Sequence, residues 1–600
     1  MNEFKNALRC RPMRPTMIHT IVFSHLLILL SVWPVWGATY YMRADGKAAN
    51  KAAATSCSSA STAMSVAAHN AEAFSPDDVI CLCDDGGDYK KSIISPSSGT
   101  NGHPIIYKNT DGDTPTIDLS VDVGGSSGWT NMGGGVYRKS GFARVLWEDD
   151  VPLKAATSTT CSDGNWYYPI ASNLIYYQPT SGTPANHTIR TMWFDSDLSP
   201  YGLDLRNKSN ITVYGLNFNR CGAGVGHGQN ISSPISIIKN IILHGNTITR
   251  CLWGIWSQLV SNGVESDVFI YNNHINYCNS GISAWTGSDK TLGHTQHHTR
   301  YSITGNKILN LYSISDTKVW SDALLTSYYY TDHEGISFQD VKDSIISNNI
   351  ITNTFVKEMT SDEYWNRAIY FYLTNGDTAT SGNSVLRNYI SGHFYPSIYI
   401  STAKDFKGFE NNVIAYNVLY YGLSSKNHIS FGLNSASDNP LTGVNYFINN
   451  TIYNRTAGVG ISIGNKMNGT WVIRNNIVKS SKVANISANN NTGRLAFDHN
   501  IYQAAKWGFQ VDTSGMEFTT WEKTYKYDTV GSRVADPLFV SPGSDFHLQS
   551  GSPAIDAGLS VGLLKDYAGV PISGNPDIGA YEFHRSLKSP NSPTDLKLIK

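Results

Sequence analysis

The feature that most constrains the fold of this chain is a short pattern that returns in the middle of the sequence. The stretch ITRCLWGIW begins at Ile248, and INYCNSGIS begins 27 residues later at Ile275. FNRCGAGV begins 30 residues before the first stretch, at Phe218. Each copy contains an apolar residue, a cysteine, a glycine and an aliphatic residue in the same order. A period of about 20 to 50 residues indicates a solenoid.

Two further motifs extend this repeat. In the first, an asparagine precedes an aliphatic residue by one or two positions, and the copies begin at Gly245, Asn272, Gly305, Asn348, Asn411, Asn449 and Asn475. The second alternates apolar and non-apolar residues, as half-buried strands do, and its copies begin at Trp253, Ser280, Glu334, Arg367, Pro396 and Val459. Short strands without helical periodicity predict a parallel β-helix, in which each coil lies about 4.8 Å above the last.

In such a solenoid, equivalent side chains stack in columns. We expect one inward column of aliphatic residues to contain Val225, Ile255 and Ile282. A second inward column should hold small apolar thiols that are not paired as disulfides, at Cys221, Cys251 and Cys278. The repeated asparagines should form a structural column in which stacked amides satisfy buried turns.

The first 38 residues have the order of a secretory signal peptide. Four basic residues precede an apolar run at Ile21–Trp36, and two small residues at 37–38 follow as a cleavage point. This order predicts export, with an uncleaved membrane anchor as the alternative. Because exported cysteines can pair, we expect Cys57 to form a disulfide with Cys81 or Cys83.

Charge and composition exclude some classes of protein. The formal net charge is -1, which argues against nucleic-acid binding because that function needs a basic field. The sequence has no phosphate-binding loop of the kind that holds a nucleotide. Hydrophobic residues make up 41% of the chain and aromatic residues 12%, so the composition is not that of a disordered protein.

Three segments resemble parts of a known family. From Thr39, TYYMRADGKAANKAAATSCSSASTAMSVAAHNAEAFSPDDVICL resembles the N-terminal cap of secreted right-handed parallel β-helix proteins, which include pectate-lyase-like proteins and β-helical glycoside hydrolases. DPLFVSPGSDFHLQSGSPAIDAG and NPDIGAYEF, within Asp536–Phe583, are similar to a choice-of-anchor-type closing segment. The block at Gly128–Pro179 resembles a β-sandwich insertion of β-helical glycoside hydrolases. The resemblance implies an all-β, right-handed parallel β-helix solenoid with an N-terminal helical cap and a small inserted β-sandwich-like subdomain.

These segments divide the chain into six predicted parts. They are a signal peptide (1–38), the cap and first coils (39–119), the inserted β subdomain (120–200), the β-helix (201–535), the closing segment (536–583) and a tail or linker (584–600). Since an open end of a β-helix exposes strand edges and apolar core, both ends need covers. We expect an amphipathic helix over about Ser59–Phe74 to cover the first end and the closing segment to cover the last.

The repeat also predicts which side chains face away from the core. One outer sheet should carry a row of aromatic residues from neighbouring coils, namely Trp253, Trp256, Trp285, Tyr370, Tyr372 and Tyr399. Exposed aromatic rings in a row suit stacking on sugar rings, so this row is the predicted substrate-binding surface. The alternative is that inserted loops cover the rings and make them a satellite core.

The densest group of ionisable residues is TDHEGISFQD, which interrupts the repeat on the same sheet. It contains Asp332, His333, Glu334 and Asp340. We expect further charged residues close to it, from neighbouring coils and loops: Arg300, Glu363 and Arg367. A polar run in place of repeat residues is typical of a functional site, although a salt-bridged turn would have the same composition. A metal site at His297 and His298 is less favoured than a solvated loop, because no spaced partner ligands accompany them.

Two chemistries fit these residues. A glycosidase needs a pair of carboxylates, for which the candidates are Asp332, Glu334, Asp340 and Glu363. A lyase or epimerase needs a base and a positive charge to neutralise a uronate. His333 or Arg300 could be that base. Arg367, or Ca²⁺ held by Asp332 and Asp340, could supply the charge.

The sequence therefore predicts a secreted, monomeric protein that binds a polysaccharide or other glycan and degrades it. Glycoside hydrolysis is preferred because of the inserted block. A polysaccharide lyase or uronate epimerase is one alternative, and a non-catalytic surface or adhesion protein is another. Calcium is the cofactor left open, and no metal ligands are assigned.

Overall fold

The chain folds as a parallel β-helix, which confirms the predicted fold class. The structure is a computed structural model that describes residues 37–584 except 126–127, 144, 157, 170–171, 193–200, 231–232, 261, 287–296, 312–332, 355–365, 374–379, 403–407, 423–427, 436–442, 456–457, 465–468 and 488–493. Residues 1–36 of the predicted signal peptide and residues 585–600 of the predicted tail lie outside the described part. Among the described residues, no helix is long and apolar enough to span a membrane.

Three long sheets form the walls of the solenoid, and each coil passes through sheet A, sheet B and sheet C in turn. Sheet A contains β1 (Thr39–Met42), β2 (Val79–Leu82), β4 (Ile105–Asn109), β16 (Ile211–Tyr214), β19 (Ile237–His244), β22 (Val264–Tyr271), β25 (His297–Thr304), β28 (Val341–Lys342), β29 (Ile345–Ser347), β32 (Thr380–Ser381), β33 (Ser384–Leu386), β36 (Phe409–Glu410), β37 (Val413–Ala415), β40 (Val444–Ile448), β43 (Thr470–Arg474) and β46 (Leu495–Asp498).

Sheet B contains β5 (Thr116–Asp118), β17 (Asn217–Asn219), β20 (Thr247–Thr249), β23 (His274–Asn276), β26 (Lys307–Leu309), β30 (Ile350–Asn353), β34 (Tyr389–Gly392), β38 (Val418–Tyr421), β41 (Thr451–Asn454), β44 (Ile477–Ser480), β47 (Ile501–Ala504) and β50 (Arg533–Val534). Sheet C contains β3 (Ile93–Ile94), β15 (Tyr201–Asp204), β18 (Ala223–Gly228), β21 (Trp253–Leu259), β24 (Ser280–Thr286), β27 (His333–Gln339), β31 (Asn366–Leu373), β35 (Ile398–Thr402), β39 (Ile429–Ser435), β42 (Val459–Ile463), β45 (Lys482–Ile486), β48 (Phe509–Val511) and β49 (Ser514–Met516). The described pairs in these sheets are parallel, except that β48 and β49 are antiparallel.

The core consists of stacked inward columns, as the repeat predicts. The longest column on sheet C places equivalent residues in register, in the order Leu203, Val225, Ile255, Ile282, Ile336, Ile369, Ile398, Phe431, Ile461, Ala484 and Phe509. All of them are buried. Cys221, Cys251 and Cys278 are buried free thiols, and the backbone N–H of Cys221 donates to Sγ of Cys251 at 3.4 Å. The prediction of an unpaired thiol column is therefore confirmed.

The glycine of the repeated pattern has a steric explanation. Gly281 lies where the chain turns from sheet B into sheet C, and a Cβ placed there would be 2.3 Å from the carbonyl oxygen of Gly335 on the next coil. Gly254 has the same relation to Gly281, at 2.5 Å. A larger residue at either of these two positions would force the next coil to shift. Later coils have Ala368, Ser397, Ser430 and Val483 in register there, so the close approach is specific to the coils that carry glycine.

The repeated asparagines form two ladders, where the sequence predicted one column. The longer ladder is buried, and each Nδ2 donates to the next Oδ1 at 3.0–3.2 Å, in the order Asn246, Asn273, Asn306, Asn349, Asn388, Asn417, Asn450, Asn476 and Asn500. The shorter ladder joins Asn383, Asn412 and Asn445 at 2.9 and 3.0 Å. Asn412, from the NNVI motif that begins at Asn411, belongs to this second ladder. In these coils sheet A is divided into two short strands, such as β36 and β37, and the bend between them creates another buried turn.

The N-terminal cap is less helical than expected. The predicted helix over 59–74 is replaced by a 3₁₀ turn at Ala60–Thr62 and by α1 (Val66–Asn70); another 3₁₀ turn lies at Lys51–Ala53. Met64 forms parallel bridges to Met42 and Ala48, which holds the chain extended until Ser65 begins the helix. The disulfide joins Cys57 to Cys83, one of the two predicted pairings.

The inserted subdomain consists of two sheets that face each other, and their strand pairs are antiparallel except for β11 with β12. One contains β10 (Val151–Pro152), β9 (Val145–Glu148), β14 (Ile189–Met192) and β6 (Val121–Asp122). The other contains β11 (Lys154–Ala155), β12 (Asn165–Tyr167), β13 (Leu174–Gln178), β8 (Val136–Ser140) and β7 (Thr130–Gly133). Leu146, Trp166, Ile175 and Ile189 are among the buried residues between the sheets, so we refer to the subdomain as the sandwich. A 3₁₀ turn at Pro184–Asn186 precedes β14.

The last coil is covered by a helix, and the closing segment packs elsewhere. Trp521 of α2 (Phe518–Tyr525) is buried against the end of the solenoid core. The closing segment, with β51 (Phe539–Ser541) and β52 (Asp545–Leu548), packs on the outer face of sheet B, where Phe539 and Phe546 meet Tyr453. The expectation that this segment covers the end of the core is wrong, because α2 already buries that end.

Candidate functional site

Sheet C presents two outward columns in the coils from β24 to β35. One step beyond the inward isoleucines lie Ser283, Ser337, Tyr370 and Tyr399, in that register. Two positions further along, Gln339, Tyr372 and Ser401 are in register. The aromatic residues predicted on one outer sheet therefore do lie on one sheet, on β21, β24, β31 and β35, while β27 between them carries Ser337 and Gln339.

The first part of this row is covered. Successive residues of β9 point in opposite directions, so Leu146 enters the core of the sandwich, and Val145 and Trp147 face sheet C. Trp253 and Trp256 are each only 3% exposed in the resulting cluster. The expectation that these two indoles face solvent and contact a substrate is wrong, because the sandwich packs on them as a satellite core.

The uncovered part of the row begins at the border of the sandwich. Trp285 is half-buried, and its ring centroid lies 6.3 Å from that of Trp256 on one side and 6.3 Å from that of Tyr372 on the other. Tyr370 lies 5.9 Å from Tyr372 and 5.7 Å from Tyr399, in stacked orientations. Tyr370 is buried, but Tyr372 and Tyr399 are half-buried. We refer to Trp285, Tyr370, Tyr372 and Tyr399 as the aromatic row.

Hydroxyl groups lie beside these rings. Nε1 of Trp285 donates to Oγ of Ser337 at 3.2 Å, and Oγ of Ser337 donates to Oγ of Ser283 at 2.8 Å. These bonds fix the plane of the indole over the coil. Both serines are buried, so this face offers a ligand the exposed parts of the aromatic rings, and aromatic surface of this kind suits the apolar faces of sugars.

A buried ion pair adjoins the aromatic row. Glu334 on β27 and Arg367 on β31 are in register, and Nη1 of Arg367 donates to Oε1 of Glu334 at 2.9 Å. Both residues are at most 2% exposed. The guanidinium carbon lies 3.8 Å from the ring centroid of Tyr370 and 5.3 Å from that of Tyr399. The pair thus joins two neighbouring coils below the aromatic row.

Asp340 lies away from this pair. It occupies the turn from sheet C into sheet A with a left-handed backbone (φ 53°), and its Oδ2 accepts a hydrogen bond from Oγ1 of Thr286 at 2.8 Å. Asp340 follows Glu334 by six positions, which corresponds to about 20 Å along an extended backbone. Carboxylates that flank one glycosidic bond lie within about 10 Å of each other, so Glu334 and Asp340 do not form such a pair.

The other predicted catalytic residues are distributed as follows. His333 begins β27, is half-buried, and is in register with Asn366. Asp332 and Glu363 lie outside the described residues. Arg300 lies on sheet A, with Nε and Nη2 at 2.6 and 2.8 Å from the carboxylate of Asp267. The expectation that Arg300 adjoins the 332–340 run on the same face is wrong, because β25 belongs to a different wall of the solenoid.

A buried polar network inside the solenoid was not predicted. Oε1 of Glu265 accepts from Nδ1 of His227 at 2.7 Å, and Oε2 lies 3.2 Å from Nδ1 of His298 and accepts from the hydroxyls of Ser257 and Tyr301. Burial acts to raise the pKa of Glu265, but the charge and hydrogen bonds of the two histidines outweigh it and hold this pKa well below its usual range. His298 is therefore a core residue, which contradicts the solvated-loop interpretation. The repeat could have predicted this network. His227 and Ser257 lie two positions after the inward residues Val225 and Ile255, so their side chains also point into the solenoid.

No family model and no curated protein matches the sequence. A solved structure of XylC in complex with xylose has a TM-score of 0.52 and 11% identity, and the match covers 90% of this chain and 98% of XylC. The pectate lyase Pel9A matches with a TM-score of 0.34 and 12% identity over 91% of this chain and 96% of its own. A glycoside hydrolase matches with a TM-score of 0.36 and 9% identity over 83% and 96%. At this identity the likeness to XylC shows the fold alone.

Proposed function

We propose that this protein binds a polysaccharide along the outer face of sheet C, beside the sandwich, and cleaves it there. The observation that carries the proposal is the aromatic row, in which Trp285, Tyr372 and Tyr399 stay half-buried while the sandwich buries their neighbours. The half-buried rings lie on β24, β31 and β35, so their exposed parts can contact several sugars of one chain. The fold shared with XylC, whose structure contains xylose, is consistent with this proposal.

We prefer hydrolysis of a glycosidic bond as the chemistry. Arg367 is already neutralised by Glu334 and stacked on Tyr370, so its charge is not available for the carboxylate of a uronate, which a lyase must neutralise. Of the candidate carboxylates, Glu334 is the one that the structure places beside the aromatic row, through its contact with Arg367. We propose Glu334 as the nucleophile or base and Asp332 or Glu363 as its acid partner.

The binding part of the proposal is tested with a panel of neutral and acidic polysaccharides in affinity gels. We expect Trp285→Ala and Tyr372→Ala each to weaken retardation by the best ligand about tenfold or more, on the scale of about 1–3 kcal/mol that stacking of a ligand ring on one aromatic side chain contributes in other complexes. Trp507→Ala is the matched control, because Trp507 is 60% exposed and lies near the last coil. Equal retardation of all four proteins would exclude the aromatic row as the binding surface.

The chemistry is tested by the products formed from the bound polysaccharide. Hydrolysis releases reducing ends without ultraviolet absorbance, and a lyase releases an unsaturated uronate that absorbs. We expect reducing ends only, and we expect Glu334→Gln to lower their rate of release at least 100-fold while binding is kept. Binding without any product would identify a non-catalytic surface or adhesion protein, and an absorbing product would identify a lyase.

Export and oligomeric state are further parts of the proposal. The basic and apolar order of residues 1–38 supports secretion with cleavage near Gly37. We expect the N-terminus of the protein from the culture medium to lie at residue 37–39, and light scattering to give the mass of a monomer. Protein retained in the membrane with its N-terminus intact would instead identify an anchor.

A further inference from the structure

The sandwich contains three residues that could hold a metal ion. Glu148 ends β9, Asp149 follows it in the turn, and His187 precedes β14. One ligand atom from each lies within 4.8 Å of the other two. Nδ1 of His187 is 2.7 Å from Oδ2 of Asp149 and 3.3 Å from Oε1 of Glu148. Since Trp147 faces sheet C, the next residue along β9 projects to the opposite side, away from the aromatic row.

The hydrogen bonds of His187 determine which of its nitrogens carries hydrogen. Nε2 lies 2.7 Å from the carbonyl oxygen of Ser181, which can only accept, so Nε2 is the donor. In the neutral imidazole, Nδ1 then has a lone pair directed at two carboxylate oxygens. Lone pairs at these distances repel unless a positive ion lies between them. That ion is either a proton on Nδ1 or a metal cation.

The group combines two carboxylates with one imidazole, and a divalent cation placed between them would neutralise both carboxylates. Glu148 is only 3% exposed, so its carboxylate is held inside the sandwich.

Each of the three residues is also oriented by a further partner, as metal ligands are. Oδ1 of Asp149 accepts from the backbone N–H of Thr188 at 2.8 Å, which leaves Oδ2 directed at His187. Glu148 accepts hydrogen bonds from the hydroxyls of Tyr177 and Thr180 and from the backbone N–H of Thr180 at 3.1 Å. These donors hold the carboxylate of Glu148 in place.

We propose that Glu148, Asp149 and His187 bind a divalent transition-metal ion of the zinc class. One imidazole nitrogen and two carboxylate oxygens form a donor set that Zn²⁺ uses, and the 55% exposure of the Asp149 side chain leaves an entry path and a place for water. The ion would join the turn after β9 to the segment before β14. Asp150 in the same turn is paired with Arg220 of the β-helix, so the ion would also stiffen the attachment of the sandwich.

The test is a calorimetric titration of the metal-free full-length protein, without a histidine tag, with ZnCl₂ near neutral pH. We expect one saturable site, which is lost in His187→Ala. Tyr177→Phe should weaken it about 10–100-fold, because outer partners of metal ligands contribute that much. The matched control is His103→Ala, since Nδ1 of His103 lies 2.8 Å from Oδ2 of Asp77 and no third ligand joins them among the residues that the structure describes. That variant should bind zinc as the parent protein does.

Two results would overturn the proposal. If the parent protein shows no saturable zinc binding, or if His187→Ala binds zinc equally well, the contact is an ion pair of a protonated histidine. CaCl₂ that binds as tightly as ZnCl₂ would overturn the zinc class, because calcium prefers oxygen ligands. If His187→Ala does not fold, anomalous diffraction at the zinc edge from parent crystals decides, with a peak about 2.0–2.2 Å from Nδ1 of His187 expected and its absence counting against the site.

Discussion

Replacement of Asn349 by alanine should loosen the solenoid at one coil, because it removes four hydrogen bonds from the longer ladder. Nδ2 of Asn349 donates to the carbonyl oxygen of Ile303 at 2.9 Å and to Oδ1 of Asn388 at 3.0 Å. Its Oδ1 accepts from the backbone N–H and from Nδ2 of Asn306 at 2.9 and 3.0 Å. The side chain is fully buried, so the variant leaves these partners inside the protein.

The magnitude follows from the groups that lose a partner. A buried polar group left unsatisfied costs about 1–3 kcal/mol. The backbone N–H of Asn306 loses its acceptor and the carbonyl of Ile303 loses a donor, so we expect a loss of about 3 kcal/mol. That energy corresponds to roughly a 100-fold increase in the equilibrium for local opening.

The assay is hydrogen exchange followed by mass spectrometry, which reports each coil separately. Peptides that cover 301–309 and 345–353 should exchange about 100-fold faster in Asn349→Ala, whereas coils near the N-terminal cap should not change. Asn575→Ala is the control, because Asn575 is exposed on the closing segment. Exchange within about threefold of the parent rate in both peptides would refute the view that the ladder holds the coils together.

Three further predictions concern stability. Burial and the neighbouring Asp577 raise the pKa of Glu582 to about 8, and burial raises the pKa of Asp577 to about 6. The stability that these two carboxyl groups contribute is therefore fully present below about pH 4 and is lost as the pH rises through 8. The urea midpoint should accordingly fall between pH 5 and pH 9 by more in the parent protein than in Asp577→Asn/Glu582→Gln. Gly281→Val should lower the melting temperature, since its Cβ would lie 2.3 Å from the carbonyl oxygen of Gly335, and an unchanged melting curve would contradict the steric role of this corner. Cys57→Ser/Cys83→Ser should reduce the unfolding free energy by about 3–4 kcal/mol, as expected for a disulfide that closes a separation of 26 residues, and Cys81→Ser is the control.

The sequence was sufficient to predict the columns of the β-helix, and the physical reason is their periodicity. Ile255, Ile282 and Ile336 stack because coils repeat the same backbone path, so one residue per coil reports the position of its neighbours. The same argument correctly placed Tyr370 and Tyr399 on one outer face.

The prediction failed where contacts depend on parts of the chain that do not repeat. Trp256 has the same outward position as Tyr399, but Trp147 from the sandwich covers it, and no periodic signal reveals how an insertion packs. The closing segment posed the same difficulty, since its apolar residues fit the outer face of sheet B as well as an open end. The sequence predicted only that Glu334 and Arg367 lie close together. The register of β27 and β31 was needed to show that they form an ion pair.

The most direct measurement of the central claim is a crystal structure of the protein with an oligosaccharide of the polysaccharide that it binds best. We predict electron density for sugar rings in contact with Trp285 and Tyr372, with the bond to be cleaved near Glu334. Sugar bound on another surface, with these two rings unoccupied, would contradict the assignment of the outer face of sheet C as the glycan site.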